Sequence, residues 1–453
     1  MSVPLWGNQT AKALENFGFQ GNSGTPRELV QALAEVKLAA LEGIQEYEDY
    51  FADDVMRALR KAAQGVIRGD YDEAFPLPLA QGGAGTSLHM NINEVLVSLV
   101  KKEIPEKPLD SIEDLARFQS TNDTFASSVV ILAFRLTEKA EKRAIELQEK
   151  LTELELKYDK LLITGRTEMQ DALPMRAGSI FGAWAGALER DRWRLSKVAE
   201  RVREVPLGGT ALGTGFGAPR GYAHAAERHL RRITGLPLSR SQNMMDAVAL
   251  KDSLAEVAGS IRLAALNISR MAGDMLYYSS AAVGEFVHPN LQYGSSMMPL
   301  KTNPVLLERC KGLALSAMGE ADKVDVYARE GQLQLNAYLP FICRSLNFAA
   351  GECLRAQGDF LVFLNKLTPD ARRMELNLSR SPALLNALMP LVGYRALKDL
   401  GKTVQHNALE TLDELAELVA GETGISLEDV NEALKVSNLT GPPKLRDNER
   451  KNQ

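Results

Sequence analysis

One stretch, segment 5 (Gly294–Pro304), carries the residue types best suited to chemistry on a carboxylate. Two serines, Ser295 and Ser296, follow a glycine, and a fixed cation at Lys301 and an amide at Asn303 come next. Prolines flank the cation and the amide, and proline restricts the backbone torsions around it. Segment 5 therefore combines a mobile, serine-bearing stretch with a rigid corner that suits a bound carboxylate.

Four other stretches are rich in glycine, hydroxyl and amide residues, which suit turns, helix caps and backbone anion binding. They are segment 1 (Gln81–Glu94), segment 2 (Gln119–Phe125), segment 3 (Gly165–Ala172) and segment 4 (Gly208–Gly215). Segments 1 and 2 place hydroxyls and amides in front of an expected helix. Taken singly, each of the four is better explained by helix capping, so this alternative stays open.

The elements that must position these segments are long helices. Apolar residues recur every three or four positions over 136–158, which predicts an amphipathic helix over about 125–160, on the order of 50 Å long. The same pattern runs over 250–275, and the Ala- and Leu-rich stretch 305–367 predicts a third long helix. Alternating patterns of strand length are scarce. We therefore predict an all-α bundle, which can grow further only by packing against helices of other subunits.

The length of 453 residues favours about three structural units. Breaks near Pro108 and Pro369 divide the chain into an N-terminal helical domain (1–115), a central long-helix domain (116–368) and a small C-terminal helical domain (369–453). The last of these ends in a polar tail from residue 437 onward, which we expect to be mobile.

Composition argues against several classes of function. With 58 acidic and 53 basic residues the formal charge is −5, so neither nucleic acid nor a membrane surface is an expected partner. Three cysteines without CxxC spacing predict a reducing, cytoplasmic location, and no targeting or membrane-spanning segment is visible. The five histidines show no metal-ligand spacing, so we expect neither a metal nor a cofactor.

Segment 5 satisfies every defined position of the pattern GSSxMPxKxNP, and in this the chain resembles the fumarase/aspartase superfamily. The other four segments match that family in the same order, and so does the opening stretch Gln9–Phe17. The resemblance runs from about Trp6 into the C-terminal domain. It implies three helical domains and a homotetramer with a core of about twenty long helices. It also implies active sites that draw segments from three subunits.

The resemblance further implies a lyase that removes a proton beside one carboxylate of a small dicarboxylate and expels a group from the neighbouring carbon. Ser295 would be the base, with Lys301 as the nearby catalytic cation. A neutral serine is a poor base, so cations, N–H groups and exclusion of water must stabilise its alkoxide. The residues expected to bind substrate are Thr86, Ser87, Ser120, Thr121, Asn122, Thr167, Ser296, Lys301 and Asn303.

Glu168 is the most consequential departure from the family, which usually has His at this position, or Gln in some aspartases. In fumarases that His pairs with a Glu at the position of Glu308, so two carboxylates would face each other here, and like charges favour protonation of one of them. We hypothesise that Glu168 accepts the ammonium group of a substrate or donates a proton. The alternative is a surface Glu near a helix start, without a role.

Other departures are His89 for the usual Asn, Ala126 for Pro, Gly217 for Asn, and the lack of a His-Pro-Asn stretch before segment 2. The substrate is therefore expected to differ from the commonest one of the family. Ammonia or an amine, leaving from L-aspartate or a derivative, is the favoured leaving group, because Glu168 can hold a cation. Two alternatives stay open, namely a fumarate hydratase with water as leaving group and a non-catalytic structural homologue.

Overall fold

The computed structural model describes residues 4–18, 24–292, 294–407 and 409–440. The expected polar tail lies outside these residues beyond Thr440. The first helices are α1 (Asn8–Phe17), α2 (Arg27–Glu48), α3 (Asp53–Arg68), α4 (Thr86–Glu103), α5 (Thr121–Lys157), α6 (Gly178–Arg201), α7 (Arg220–Thr234) and α8 (Met244–Ala249). The remaining helices are α9 (Asp252–Tyr278), α10 (Val305–Arg329), α11 (Leu339–Lys366), α12 (Ala371–Ser379), α13 (Met389–His406), α14 (Leu412–Thr423), α15 (Leu427–Ala433) and α16 (Val436–Leu439).

Within the described ranges, six short strands accompany these helices and form three two-stranded pairings. They are β1 (Leu162–Thr167), β2 (Gln170–Arg176), β3 (Glu204–Val205), β4 (Ser239–Arg240), β5 (Phe286–Val287) and β6 (Thr368–Pro369). Only β1 and β2 exceed two residues, so the prediction of an all-α fold is confirmed.

The chain divides into two compact units, each discontinuous in sequence. Unit 1 comprises residues 1–142, 191–266 and 314–354, and unit 2 comprises 143–190, 267–313 and 355–453. The division into three domains at 115 and 368 stays a prediction.

Two of the long helices follow the predicted periodicity. Helix α5 has 37 residues, and its predicted apolar face is buried from Leu136 to Leu154. Helix α9 has 27 residues, with Ile261 and Ile268 fully buried on its apolar face. Leu250, expected at the start of this run, instead precedes the helix and is 58% exposed. Burial of one stripe every three or four residues thus explains both helices.

The prediction of one long helix over 305–367 is wrong, because the stretch forms two helices, α10 and α11. The buried Asn336 lies between them and donates from Nδ2 to the carbonyl oxygens of Tyr327 and Ala328, at 3.0 and 3.1 Å. Its Oδ1 accepts a hydrogen bond from the backbone N–H of Tyr338 at 2.9 Å. One amide therefore satisfies backbone groups at the end of α10 and the start of α11, where a helix leaves them unpaired.

The core of unit 1 is built around α2, which packs against α3 and α7. A Cβ at Gly43 would lie 2.8 Å from the backbone nitrogen of Ala226, so only glycine allows α2 and α7 to approach this closely. Apolar residues on several sides of α2 are fully buried, including Leu33, Val36 and Leu41. Any charged group on this helix that faces inward therefore requires buried partners.

In unit 2, the C-terminal helices enclose a separate apolar cluster that includes Leu385, Leu400 and Val419. The hairpin β1–β2 pairs antiparallel, with Leu162 opposite Arg176. Across the described residues, no helix combines the length and the apolarity that crossing a bilayer requires.

Candidate active site

Segments 1 and 2 place hydroxyl residues at helix starts, as expected, since α4 begins at Thr86 and α5 at Thr121. Gly85 precedes α4 with a φ of 96°, and a Cβ there would overlap the ring of Phe125. Glycine therefore allows the start of α4 to lie directly against segment 2. The Thr86 side chain is exposed and donates to the carbonyl of Gly83 at 2.9 Å, whereas Ser87 is half-buried.

Asp123 joins segment 2 to segment 4 within unit 1. Its fully buried carboxylate accepts hydrogen bonds from the backbone N–H groups of Ser120 and Thr210 at 2.9 Å and of Gly208 at 3.2 Å. Burial raises the pKa of Asp123, and these N–H donors oppose the rise. The bond to Ser120 is the return half of a capping box, three residues into α5. The carboxylate thus fixes the glycine-rich turn of segment 4 beside the start of α5.

The three expected substrate-binding residues of segment 2 are half-buried next to this carboxylate. The Ser120 hydroxyl accepts a hydrogen bond from the backbone N–H of Asn122 at 3.2 Å, so Ser120 does cap α5. The Asn122 side chain donates to the carbonyl of Ala211 at 2.8 Å. The Thr121 hydroxyl lies 3.1 Å from Nδ1 of His89. Unit 1 therefore brings segments 1, 2 and 4 together around hydroxyl and amide groups.

Lys37, a buried lysine, lies close to Thr121 with His89 between them, and the sequence analysis did not predict it. Lys37 is fully buried on α2, and its Nζ contacts the Leu115 carbonyl, the Gln119 side-chain oxygen at 2.7 Å and Nε2 of His89 at 3.3 Å. Burial lowers the pKa of Lys37 to about 7, although the negative charge of Asp123 opposes this. The sequence signal that could have revealed this buried group is a lysine within the largely apolar stretch 29–41.

In unit 2, segment 3 is a hairpin and not the helix start that the alternative reading of Glu168 assumed. Glu168 and Met169 form its tip with φ of 53° and 61°. The left-handed region disfavours residues other than glycine, each at a cost of about 1–2 kcal/mol. Thr167 and Glu168 are exposed at this tip. The hairpin was not predicted because its tip lacks the Asn-Gly pair by which such turns are recognised.

The hairpin is anchored by Arg166, which forms a bidentate ion pair with the fully buried Glu285 at 2.7 and 2.8 Å. Asn377 donates to the same carboxylate at 2.9 Å, and Asp171 lies 3.2 Å from Nε of Arg166. A planar guanidinium held on two sides restricts the backbone next to it. Arg166, directly before the Thr167–Glu168 pair, is thereby held in place by contacts that the sequence analysis did not predict.

Segment 5 is a loop of unit 2. The Ser295 Oγ accepts hydrogen bonds from the backbone N–H groups of Met297 and Met298, each at 3.1 Å. Asn303 donates to the carbonyl of Gly294 at 2.7 Å and so closes the loop upon itself. Lys301 is exposed.

Two further residues of the expected site lie on the solvent side of unit 2. Ser296 is exposed on segment 5, and Glu308 is exposed in the first turn of α10. The structure thus holds Thr167 and Glu168 on one hairpin and Ser295 to Asn303 in one loop. Whether these converge with segments 1, 2 and 4 in an assembly stays a prediction. The part of the chain that the structure describes contains no group of three or more potential metal ligands.

Comparison with known proteins identifies related lyases. A lyase family profile matches residues 2–319. Fumarate hydratase class II of Pseudomonas putida is 32% identical over 413 residues, covering 88% of this chain and 87% of the relative. Aspartate ammonia-lyase of Bacillus subtilis is 30% identical over 449 residues, covering 96% and 93%.

Solved structures give the same result. A fumarate lyase:delta crystallin from Brucella melitensis, bound to cobalt, superposes with a TM-score of 0.89 at 29% identity, covering 97% of this chain and 96% of the other. The class II fumarase of Schistosoma mansoni gives 0.87 at 25% identity, covering 96% and 95%. The chain belongs to the fumarase/aspartase superfamily of lyases.

Proposed function

We propose that the chain is a carbon–nitrogen lyase that eliminates ammonia or an amine from L-aspartate or an N-substituted aspartate. The base takes the proton from the carbon beside one carboxylate, the C–N bond breaks, and its electron pair leaves with the nitrogen. Fumarate or a fumaryl product remains. The difficult step is the proton transfer, because the carboxylate beside the reacting carbon must take up a second negative charge.

The hydrogen bonding at Ser295 is the observation that carries this proposal. Two backbone N–H groups point at its Oγ, at 3.1 Å each. Donors fixed in this way stabilise negative charge that develops on the oxygen, as an alkoxide base requires. Lys301 on the same loop would add a cation, and Thr167 and Asn303 would bind the carboxylate that does not react. In this proposal the reacting carboxylate is bound by Thr86, Ser87, Ser120, Thr121 and Ser296.

Glu168 favours nitrogen over oxygen as the leaving atom. Its carboxylate is exposed at the hairpin tip and, within the described residues, forms no ion pair or hydrogen bond. An unpaired carboxylate can accept the positive charge of an ammonium group, whereas a departing water offers no such charge. Asn122 would contact the same leaving group, and Glu308 would lie behind Glu168.

Homotetramer formation is part of the proposal, because the site would need segments from three subunits. Large apolar side chains on the long helices remain uncovered in the single chain. Leu266 on α9 is 44% exposed, Leu315 on α10 is 52% exposed and Phe348 on α11 is 45% exposed. Apolar side chains exposed along a bundle helix are typical of contacts between subunits. The three-domain division and a cytoplasmic location belong to the same proposal.

A second function, fumarate hydration, is favoured by the relatives named fumarate hydratase class II. One assay separates the functions. The purified protein is incubated with L-aspartate, N-substituted aspartates, L-malate, and fumarate plus ammonia while the ultraviolet absorbance of fumarate is followed. Turnover of an aspartate supports the proposal, and turnover of malate alone favours the hydratase. Absence of turnover on all of them favours a non-catalytic homologue.

A further inference from the structure

We propose that Lys37 and His89 form a relay that sets the direction of the hydrogen bond at Thr121, so that the threonine hydroxyl must donate its hydrogen to the substrate carboxylate. This inference rests on the proposed function for the role of Thr121. It assigns positioning roles to two buried residues that touch no substrate themselves.

The relay begins at Lys37, whose ammonium group has three N–H donors and no acceptor. Three acceptors surround it, namely the carbonyl of Leu115, Oε1 of Gln119 and Nε2 of His89. The Gln119 amide nitrogen donates to the carbonyls of Leu115 and Arg117, at 3.0 and 3.2 Å, which leaves its oxygen toward Lys37. Each donor of the ammonium therefore has one partner.

The second step is the tautomer of His89. Below its pKa of about 7, Lys37 is an ammonium that can only donate to Nε2, so this nitrogen carries no proton and the proton of the neutral ring lies on Nδ1. The ring is 3% exposed, and burial together with the charge of Lys37 holds the pKa of His89 well below its usual value. Neutral imidazole thus has one donor, and that donor faces Thr121.

The third step is the hydroxyl of Thr121, which lies 3.1 Å from Nδ1 of His89. The hydroxyl accepts a hydrogen bond from Nδ1–H, so its own hydrogen is free to be donated to another acceptor. Among the described residues, the Thr121 hydroxyl has one hydrogen-bond partner, Nδ1 of His89. A hydroxyl at the start of α5 that cannot use its hydrogen internally is preorganised to donate to a carboxylate that gains charge.

A matched pair of variants tests the relay. His89→Asn places an amide N–H near the position of Nδ1, whereas His89→Gln places its amide near Nε2 and leaves Thr121 without a donor. We expect His89→Gln to lower kcat about tenfold with little change in KM, and His89→Asn to stay within about threefold of the wild type. Equal losses in both variants would reveal a structural role and overturn the proposal.

Coupling to Thr121 is measured with a double-mutant cycle. If His89 acts through the threonine hydroxyl, then His89→Gln lowers kcat by less than about twofold in a Thr121→Val background. Independent, multiplying losses would contradict the relay.

A readout without turnover separates this proposal from the proposed function. Nitrogen-15 NMR of labelled histidines reports which ring nitrogen is protonated, and loss of one signal in His89→Asn identifies His89 among the five histidines. We expect the proton on Nδ1, and a mixture of tautomers in Lys37→Met. A proton on Nε2 in the wild type overturns the relay. An inactive wild type with the proton on Nδ1 rejects the proposed function and leaves the relay geometry supported.

Discussion

In segment 2 the hydroxyls stand on a helix start whose neighbours Asp123, Thr124 and Phe125 are fully buried, whereas in segment 5 they stand on a loop that is largely exposed. Met297 and Leu300 on that loop are 87% and 96% exposed. Groups that stabilise developing charge act best when they are fixed before the reaction. The site around a base must admit substrate and then exclude water, and a loop that closes can do both. We therefore expect segment 2 to supply preorganised donors and segment 5 to supply a loop that closes over substrate.

The largest expected effect is on rate alone, at segment 5. Ser295→Ala removes the proposed base and should lower kcat about a thousandfold, because general base catalysis contributes on that order. Unfolding free energy should change by less than about 0.5 kcal/mol, since the loop is exposed. Steady-state kinetics and urea denaturation measure the two. Ser260→Ala should leave both unchanged, because that hydroxyl, so far as the chain is described, bonds only the Glu256 carbonyl of its own helix. A Ser295→Ala enzyme with full activity contradicts the assignment.

Segment 2 should lose stability as well as rate. Asp123→Asn places an amide N–H₂ against backbone donors, so we expect a loss of about 3 kcal/mol in unfolding free energy together with a fall in kcat. Chemical denaturation and kinetics of the same sample check both. The control Asp322→Asn removes an exposed carboxylate 3.6 Å from Arg262 and should cost less than about 1 kcal/mol. Unchanged stability in Asp123→Asn would show that the carboxylate does not hold segment 4.

Because Lys37 is buried next to segment 2, we expect the free energy of unfolding to depend on pH. Its pKa of about 7 in the folded chain lies below the value of about 10.4 in an unfolded chain. The stability that Lys37 contributes is fully present above about pH 10.4 and is lost as pH falls toward 7. Wild-type unfolding free energy should thus rise relative to Lys37→Met by up to about 1.4 kcal/mol per pH unit across this range.

Urea denaturation between pH 7 and 10 measures this difference. The control Lys101→Met, which removes an exposed lysine of α4, should follow the wild type at every pH. Parallel curves for wild type and Lys37→Met would show that Lys37 titrates alike in both states.

The smallest effect is expected at the hairpin tip of segment 3. Glu168→Gln keeps the shape and removes the charge, so turnover of an aspartate should fall about tenfold and the acidic limb of the pH–rate profile should shift. The neighbouring Met169→Leu serves as a control for the strained tip. An unchanged profile and turnover in Glu168→Gln leave Glu168 without a catalytic role.

The sequence predicted the long helices because burial of one face imposes a period that survives in the residue types, as on α5 and α9. It missed the break at Asn336, because a single buried amide can end one helix and start another inside an apolar stretch. The β1–β2 hairpin was missed for a related reason, since Glu168 and Met169 are not residues by which a tight turn is recognised.

The buried polar residues that support the candidate site contact residues that are far away in the sequence. Lys37 and His89 are separated by 52 positions, and Arg166 and Glu285 by 119. No local pattern pairs such residues, although a charge within an apolar helical face signals that a buried partner exists. The motif of segment 5 predicted candidate site residues there, but not that two backbone N–H groups donate hydrogen bonds to the Ser295 hydroxyl.

The central claim is that segment 2 of one subunit and segment 5 of another act on the same substrate, and mixing inactive variants tests it directly. Ser295→Ala is unfolded and refolded together with the double variant Ser120→Ala/Thr121→Val. Random assembly should restore about one quarter of wild-type activity, because a site is intact only when its segment 2 comes from a Ser295→Ala subunit and its segment 5 from a subunit of the double variant. Ser295→Ala mixed with Lys301→Met, both on segment 5, should restore none. No recovery in the first mixture, with tetramers formed, would contradict the account.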